Sequence, residues 1–137
     1  MLYVIIFAVT FIWGINGVID RQALIKGHPV EINLIVTLTM TVVAFIYFAL
    51  AKMWGIPMQF SKSSMTFAVS NGILIPTAYL IYLYALSRGS LTTVVSITAT
   101  YPIITFLFAV LLLNEPVSFN KIVGIIMVVA GLYIFVR

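Results

Sequence analysis

Five long stretches of this chain are hydrophobic at almost every position, and the few charged residues lie between them. The uncharged stretches cover residues 1–19, 32–51, 63–87, 89–114 and 122–136. A helix needs about 20 apolar residues to cross the hydrocarbon core of a bilayer, and the first four stretches meet that length. The fifth is shorter, but Lys121 and Arg137 at its ends can reach toward the headgroups, and residues 117–119 can extend it.

The period of this pattern favours helices over strands. Strands of a membrane barrel alternate apolar and polar residues, whereas these stretches are apolar at successive positions. Because lipid offers no partner to a free backbone amide, a helix is the remaining way to cross. The sequence therefore predicts an all-α integral membrane protein of one domain, residues 1–137, whose five transmembrane helices cover about 2–23, 31–54, 64–86, 90–113 and 117–136.

The composition agrees with a membrane protein and narrows its chemistry. Hydrophobic residues make up 64% of the chain and charged residues 7%, whereas a soluble domain carries about 25% charged residues. The chain has no cysteine, so no thiol chemistry is expected. The net charge of +4 comes from cations that border the helices, which indicates contact with the lipid bilayer and no nucleic-acid binding. The first stretch lacks a basic leader and a cleavage pattern, so we interpret it as a retained helix.

The positive charges divide almost evenly between the two sides of the membrane. With five helices, one side carries three lysines and the other carries four cations; the two sets are Lys52, Lys62 and Lys121, and Arg21, Lys26, Arg88 and Arg137. Lys and Arg in short loops normally set one orientation, and a near-tie is what insertion in both orientations requires. Two interpretations stay open: dual insertion with an antiparallel homodimer, or a single orientation set by another feature such as the N-terminal amine.

The first predicted helix has a polar face. Trp13, Asn16 and Asp20 follow one another at spacings of three and four residues, so they lie on one side of the helix. An aromatic ring, an amide and a carboxylate could form a substrate wall, with Asp20 as a candidate ion or proton site. Alternatively Asp20, one turn from the helix end, lies among the headgroups and pairs with Arg21 or Arg88.

The third and fourth predicted helices each contain a proline near the midpoint, Pro76 and Pro102. Proline removes one helix hydrogen bond and clashes with the preceding turn, so we expect a kink and a hinge at each. Two breaks at similar depth suggest the cavity that alternating access requires; a static kink that only shapes the bundle is the alternative. We interpret the neighbouring polar and aromatic residues as substrate-binding together with Trp13 and Asn16: Asn71, Tyr79, Tyr82, Ser96, Thr100 and Tyr101.

The remaining polar and small residues indicate packing. Asn33, Thr37 and Thr41 lie on one side of helix 2, where threonine can bond its own helix. In helix 5, Gly124 and Gly131 permit close helix contact. His28 is the single histidine, so neither a metal site nor a nucleophile–base pair can be assembled around it. No cofactor, metal or catalysis is expected.

Two segments of the chain resemble a known family. The stretch "ALSRGSLTTVVSITATYPIITFLFAVLLLNEPVSFNKIVGIIMVVAGLYIFVR" resembles the C-terminal part of an EamA domain, within the drug/metabolite transporter superfamily. A small-residue loop leads into a helix with a proline, whose leucine-rich end reaches an acidic residue before a glycine-containing helix. The segment "FIWGINGVIDRQAL" resembles the opening of the same domain. The likeness extends over nearly the whole chain.

The resemblance implies that this chain is half of a transporter. EamA transporters typically have ten helices in two inverted five-helix repeats, and this chain corresponds to one repeat of that inverted-repeat fold. A second copy of the chain, or a paralogous half, would supply the other repeat, in agreement with the near-tie in charge.

The same resemblance implies a central pathway along helices 1, 3 and 4 of each half. It would place a set of polar, aromatic and hinge residues near that pathway: Trp13, Asn16, Asn71, Tyr79, Tyr82, Ser96 and Pro102. Relatives in the small multidrug resistance family use a glutamate embedded in helix 1. This helix offers only Asp20, near its end.

These observations predict a multi-pass transporter half in the plasma membrane. It would act as a ten-helix dimer and move a small metabolite or amphiphile by alternating access. A flippase subunit for a lipid or lipid-linked sugar is one alternative, and it should show a lateral opening wide enough for acyl chains. A non-transporting scaffold or accessory subunit is another, in which Asn16, Ser96 and Thr100 would face lipid or dry packing.

Overall fold

The computed structural model describes residues 1–136 and is helical with short connections over that range. We number six helices in chain order: α1 Leu2–Ala23, α2 Pro29–Met53, α3 Lys62–Arg88, α4 Leu91–Thr98, α5 Tyr101–Leu113 and α6 Phe119–Val136. Strands are absent from these described residues. The predicted all-α class is confirmed. Arg137, which entered the charge count, lies outside the described residues.

Within residues 1–136, four segments are long and apolar enough to cross a membrane: α1, α2, α3 and the stretch Leu91–Leu113 that holds α4 and α5. The apolar part of α6, Phe119–Phe135, is shorter than a full span. Most large apolar side chains in these helices are exposed on the surface of the chain. So much exposed apolar surface would be unfavourable in water, which indicates that these helices lie in a bilayer.

The chain divides into two compact units, and each is described by itself. The first unit, residues 1–88, holds α1, α2 and α3, with α3 packed against both other helices. Its core lies on the C-terminal half of α3, where Leu83 and Leu86 are completely buried, and Ile32 of α2 is also buried. Leu83 and Leu86 are three residues apart and therefore share one helix face. In the second unit, which begins at Gly89, α4 packs against α6.

Helix α2 begins at Pro29, two residues before the predicted start. His28 is the N-cap: its Nδ1 accepts a hydrogen bond from the backbone N–H of Val30, and the Glu31 carboxylate accepts one from the backbone N–H of His28, both at 3.3 Å. This reciprocal pair satisfies amides that the first turn leaves free. Proline is favoured in the first turn because its missing N–H has no intrahelical partner there.

The predicted fourth helix is two helices in the structure. Helix α4 ends at Thr98 and α5 begins at Tyr101, so Ala99 and Thr100 form the break and Pro102 follows in the first turn of α5. Pro102 has no N–H to donate to the preceding turn, and the N–H of Ile103 instead donates to the Thr100 carbonyl at 2.9 Å. Helix α3, by contrast, continues without interruption through Pro76.

The connection from α5 to α6 contains an acidic residue, Glu115. Glu115 forms an ion pair with Lys121, with a distance of 2.7 Å between Oε1 and Nζ. Ser118 precedes α6, and its Oγ accepts a hydrogen bond from the backbone N–H of Lys121 at 3.3 Å. Both members of the ion pair are exposed, so the pair contributes little to stability by itself.

The C-terminal ends of α1 and α3 are joined by an arginine. Nη1 of Arg21 donates to the backbone carbonyl of Leu86 at 2.6 Å. A hydrogen bond from a charged donor is worth about 1.5–3 kcal/mol. We therefore expect Arg21→Met to lower the free energy of unfolding of the protein in detergent by about 2 kcal/mol, measured by thermal or denaturant melting of the helical signal.

The matched control for this prediction is Arg88→Met. Arg88 is an exposed arginine at the end of α3, and surface substitutions usually change stability by less than about 0.5 kcal/mol. Equal melting of the two variants would show that the bond between Arg21 and Leu86 does not stabilise the first unit.

Candidate functional site

Asp20 is the centre of the candidate site in the first unit. It lies in the last turn of α1, and only 3% of the residue is exposed. It is the one charged residue that is buried among those the structure describes. Burying a carboxylate away from water is costly unless other groups hydrogen-bond to it, so its partners define the site.

Two neutral groups bind the carboxylate. The hydroxyl of Tyr79 on α3 donates to Oδ1 at 2.5 Å, and the side-chain amide of Asn16 donates to Oδ2 at 3.0 Å. Asn16 precedes Asp20 by four residues, so both residues lie on the face of α1 that the sequence predicts to be polar. The site is therefore shared between α1 and α3.

A pair of stacked tyrosines forms the second part of the site. The rings of Tyr79 and Tyr82 have centroids 6.1 Å apart and planes inclined by 21°. Both side chains are half-buried. The next turn of α3 carries the buried residues Leu83 and Leu86, which fix this part of the helix against its neighbours. The Tyr79 hydroxyl is thus held in place by packing as well as by its bond to Asp20.

The structure gives Asp20 partners other than the arginines proposed as one alternative from the sequence. Its carboxylate accepts from Tyr79 and Asn16, while the guanidinium of Arg21 reaches the Leu86 carbonyl. The physical reason is direction: neighbouring residues of a helix point about 100° apart, so Asp20 and Arg21 face different surroundings. Asp20 as an ion or proton site stays a prediction.

The arrangement leaves the carboxylate with capacity for a further partner. A carboxylate has about four lone-pair positions, and the two hydrogen bonds use one on each oxygen. The remaining positions can bind a proton or a cationic group. A metal site is a poorer match, since no three His, Cys, Asp or Glu residues among residues 1–136 lie together as possible ligands.

Two more predicted site residues lie farther along the same helices. Asp20 contacts Tyr79, and Arg21, the next residue of α1, contacts Leu86, which lies later on α3. Residue numbers therefore rise in the same direction along both helices, so α1 and α3 run in the same direction. Trp13 precedes Asp20 by seven residues and Asn71 precedes Tyr79 by eight, which places them about 10–12 Å nearer the N-terminal ends. Both are exposed. The structure therefore does not bring them into the carboxylate cluster.

The other predicted residues belong to the second unit. Ser96 is half-buried on α4, and Thr100 lies at the helix break, where its hydroxyl donates to the Ile97 carbonyl at 2.6 Å. Tyr101 and Pro102 are exposed in the first turn of α5.

An open groove of about 420 Å³ lies between α5 and α6, and its lining is mostly apolar: Ala99, Pro102, Ile103, Phe106, Lys121, Gly124, Ile125 and Val128.

The hydrogen bond from Tyr79 to Asp20 is the feature that sequence reasoning missed. The sequence predicted both residues as candidates, and the four-residue spacing pointed to Asn16 and Asp20 as neighbours. The residues of the new bond are 59 positions apart on different helices. No local pattern sets that distance, since it depends on how α1 and α3 pack.

Comparison with known proteins finds a matching family and two related proteins. The model of the EamA-like transporter family matches residues 1–137. The chain is 27% identical over 125 residues to a protein from Archaeoglobus fulgidus described as an uncharacterized transporter; the match covers 90% of this chain and 43% of that protein. It is 28% identical over 68 residues to an uncharacterized protein from Methanocaldococcus jannaschii, covering half of each chain. No solved structure matches the chain.

The coverage of these matches bears on the size of the functional unit. The matched segments cover half the length, or less, of the curated relatives. The Archaeoglobus protein is about twice as long as this chain, since nearly the whole chain accounts for 43% of it. The Methanocaldococcus protein is about as long as this chain, because the matched segment is half of each.

Proposed function

Because this chain belongs to the EamA-like transporter family, we propose that it is half of a membrane transporter. It pairs with a second copy of itself or a paralogous half and moves a small metabolite or amphiphile by alternating access. The family and the name of the Archaeoglobus relative point to a transporter rather than an enzyme. Its apolar helices make it a multi-pass membrane protein, and the plasma membrane is the location we propose.

The observation that carries this proposal is the buried carboxylate of Asp20. Ionisable side chains within membrane helices are expensive, and they mark substrate or ion pathways. Asp20 has two hydrogen-bond partners, yet neither carries a charge. A scaffold or accessory subunit needs only apolar packing, so such a group favours transport over the scaffold alternative.

The pairing of two halves is supported by length and charge. One relative is about twice as long as this chain, as expected when two five-helix repeats are joined in one protein. The near-even distribution of lysine and arginine is what an antiparallel pair of identical chains needs. A reporter fused to the C-terminus tests this arrangement: we expect signal from both sides of the membrane, and signal from one side only would exclude the antiparallel homodimer.

The break between α4 and α5 supports alternating access. Transporters of inverted-repeat folds use interrupted helices at their binding sites, and irregular backbone within a membrane occurs where it is buried in protein or lines a cavity. Ala99 and Thr100 form such an interruption inside the segment Leu91–Leu113. We propose that this break is the hinge of the second unit and that Ser96, Thr100 and Tyr101 bind substrate near it.

The proposal is tested with purified protein in sealed vesicles and three probes of similar size but different charge. The probes are benzyltrimethylammonium (a cation), phenylalanine (a zwitterion) and benzenesulfonate (an anion), all poorly permeant through lipid. We expect at least one probe to enter well above the rate in protein-free vesicles. Entry of none, together with rapid transfer of a labelled phospholipid between leaflets, would replace the proposal with a flippase. Absence of all four activities would favour a scaffold.

A further inference from the structure

We infer that the site around Asp20 binds the positively charged group of the substrate, so that the substrate is a small organic cation with an apolar or aromatic body. This inference rests on the proposed transport function and names its substrate class. It is built on three observations in the first unit: the charge of the buried side chain, its unused acceptor positions and the stacked rings beside it.

The charge of Asp20 is the first argument. The groups that contact its carboxylate are a phenol and an amide, and neither can neutralise a negative charge. A carboxylate that is almost completely buried in a membrane helix needs a proton or a cation near it. An anionic substrate would add to the negative charge, and a neutral substrate would leave it uncompensated.

The hydrogen-bond capacity of the site is the second argument. Tyr79 and Asn16 each donate one bond, and each carboxylate oxygen keeps one lone-pair position. These bonds hold the side chain in one orientation, so a cation does not have to order it on binding. A preorganised acceptor binds more tightly because the cost of fixing it has already been met in the fold.

The aromatic rings are the third argument. Faces of aromatic rings attract ammonium groups, and the attraction grows when water is removed. Tyr79 and Tyr82 present two stacked, half-buried rings next to the carboxylate. The same rings offer apolar surface to the body of the substrate. Together the carboxylate and the rings match an alkylated or aromatic amine better than an inorganic ion.

Protons compete for the same carboxylate. Helix α3 is the element packed against α1 here, and its titratable groups at the site are Tyr79 and Tyr82, which are neutral over the physiological range. The adjacent Arg21 donates to the Leu86 carbonyl. Asp20 is therefore the group whose charge changes: a protonated carboxyl cannot pair with a cation, so cation binding should release a proton and weaken in acid.

Equilibrium binding of benzyltrimethylammonium to the detergent-solubilised protein tests this inference. This probe carries a permanent charge and no exchangeable proton, so any proton released comes from the protein. We expect its affinity to fall as the pH is lowered into the range in which the Asp20 carboxylate becomes protonated, and the released proton to appear as a binding heat that depends on the buffer. Benzenesulfonate should not compete with it.

Two matched variants complete the test. Asp20→Asn should weaken binding by at least about tenfold and remove both the pH dependence and the proton release. Glu115→Gln, which replaces an exposed carboxylate of the second unit, should retain all three properties. Asp20→Asn that binds the probe as tightly as the wild type, with the same pH dependence, would overturn the inference. Vesicles that take up phenylalanine or benzenesulfonate but not benzyltrimethylammonium would also overturn it, while leaving the transport proposal intact.

Discussion

Uptake into vesicles is expected to fall about 100-fold when Asp20 is replaced by asparagine. The substitution keeps the size and shape of the side chain, and its oxygen can still accept from Tyr79, as Asp20 does at 2.5 Å. It removes the capacity to carry a charge or a proton. The amide also meets the amide of Asn16, which now donates to Asp20, so one hydrogen bond of the site is lost.

The measurement uses whichever of the three probes the wild type moves fastest. Glu115→Gln is the control, since it makes the same chemical change at an exposed ion pair and should transport like the wild type. Elution volume and helical signal show whether each variant is folded. Unimpaired uptake by folded Asp20→Asn would mean that the buried carboxylate is structural, and the observation that carries the proposed function would then be lost.

Replacing Pro102 by alanine is expected to make the protein more stable and less active. Alanine supplies the N–H that proline lacks, so the turn at Ala99 and Thr100 can close and join α4 to α5 in one helix. The gain in the free energy of unfolding should be about 1–3 kcal/mol. If the break is the hinge of alternating access, the straightened helix should lower uptake by about tenfold or more.

Pro76→Ala is the matched comparison for this prediction. It also removes a proline from the interior of a membrane helix, but α3 continues through residue 76 without a break. We therefore expect a smaller loss of uptake than for Pro102→Ala. The two quantities to measure are the uptake rate and the melting of the helical signal. An equal loss in both variants, or stabilised Pro102→Ala protein that transports normally, would contradict a hinge at the break.

The opposite changes expected in stability and activity would separate a hinge from a purely structural kink. A structural kink that is removed should leave activity unchanged or reduce it together with stability, because the helices around it lose their fit. At a hinge, a backbone hydrogen bond of the helix is missing. Forming that bond stabilises the straight conformation over the other one. Stability then rises while turnover falls.

The sequence by itself determined the class of the protein and most of its helices. Lengths of the apolar stretches are set by the thickness of the hydrocarbon core, and lipid allows few backbone conformations other than helix. This reasoning therefore predicted α1 with the bounds that the structure shows, Leu2–Ala23. It also predicted that the backbone is disturbed near Pro102, because a missing N–H is a property of the residue and requires no tertiary contact.

Helix ends and the extent of each break were less predictable. The start of α2 depends on the reciprocal bonds between His28 and Glu31, a capping arrangement in which histidine is not among the commonest residues. Pro76 and Pro102 look alike in the sequence, yet one lies within a continuous helix and the other follows a break. The order of residues alone does not separate these two outcomes, since neighbouring helices decide how a proline is accommodated.

Tertiary structure decided the surroundings of Asp20. From the sequence, the residue had two possible surroundings, a headgroup layer with arginine partners or a site within the protein. Packing of α3 on α1 places the Tyr79 hydroxyl at 2.5 Å from the carboxylate and leaves only 3% of Asp20 exposed. A hydrogen bond between residues far apart in the chain depends on the positions of two helix axes and their rotations, and those are fixed by the fit of many side chains at once.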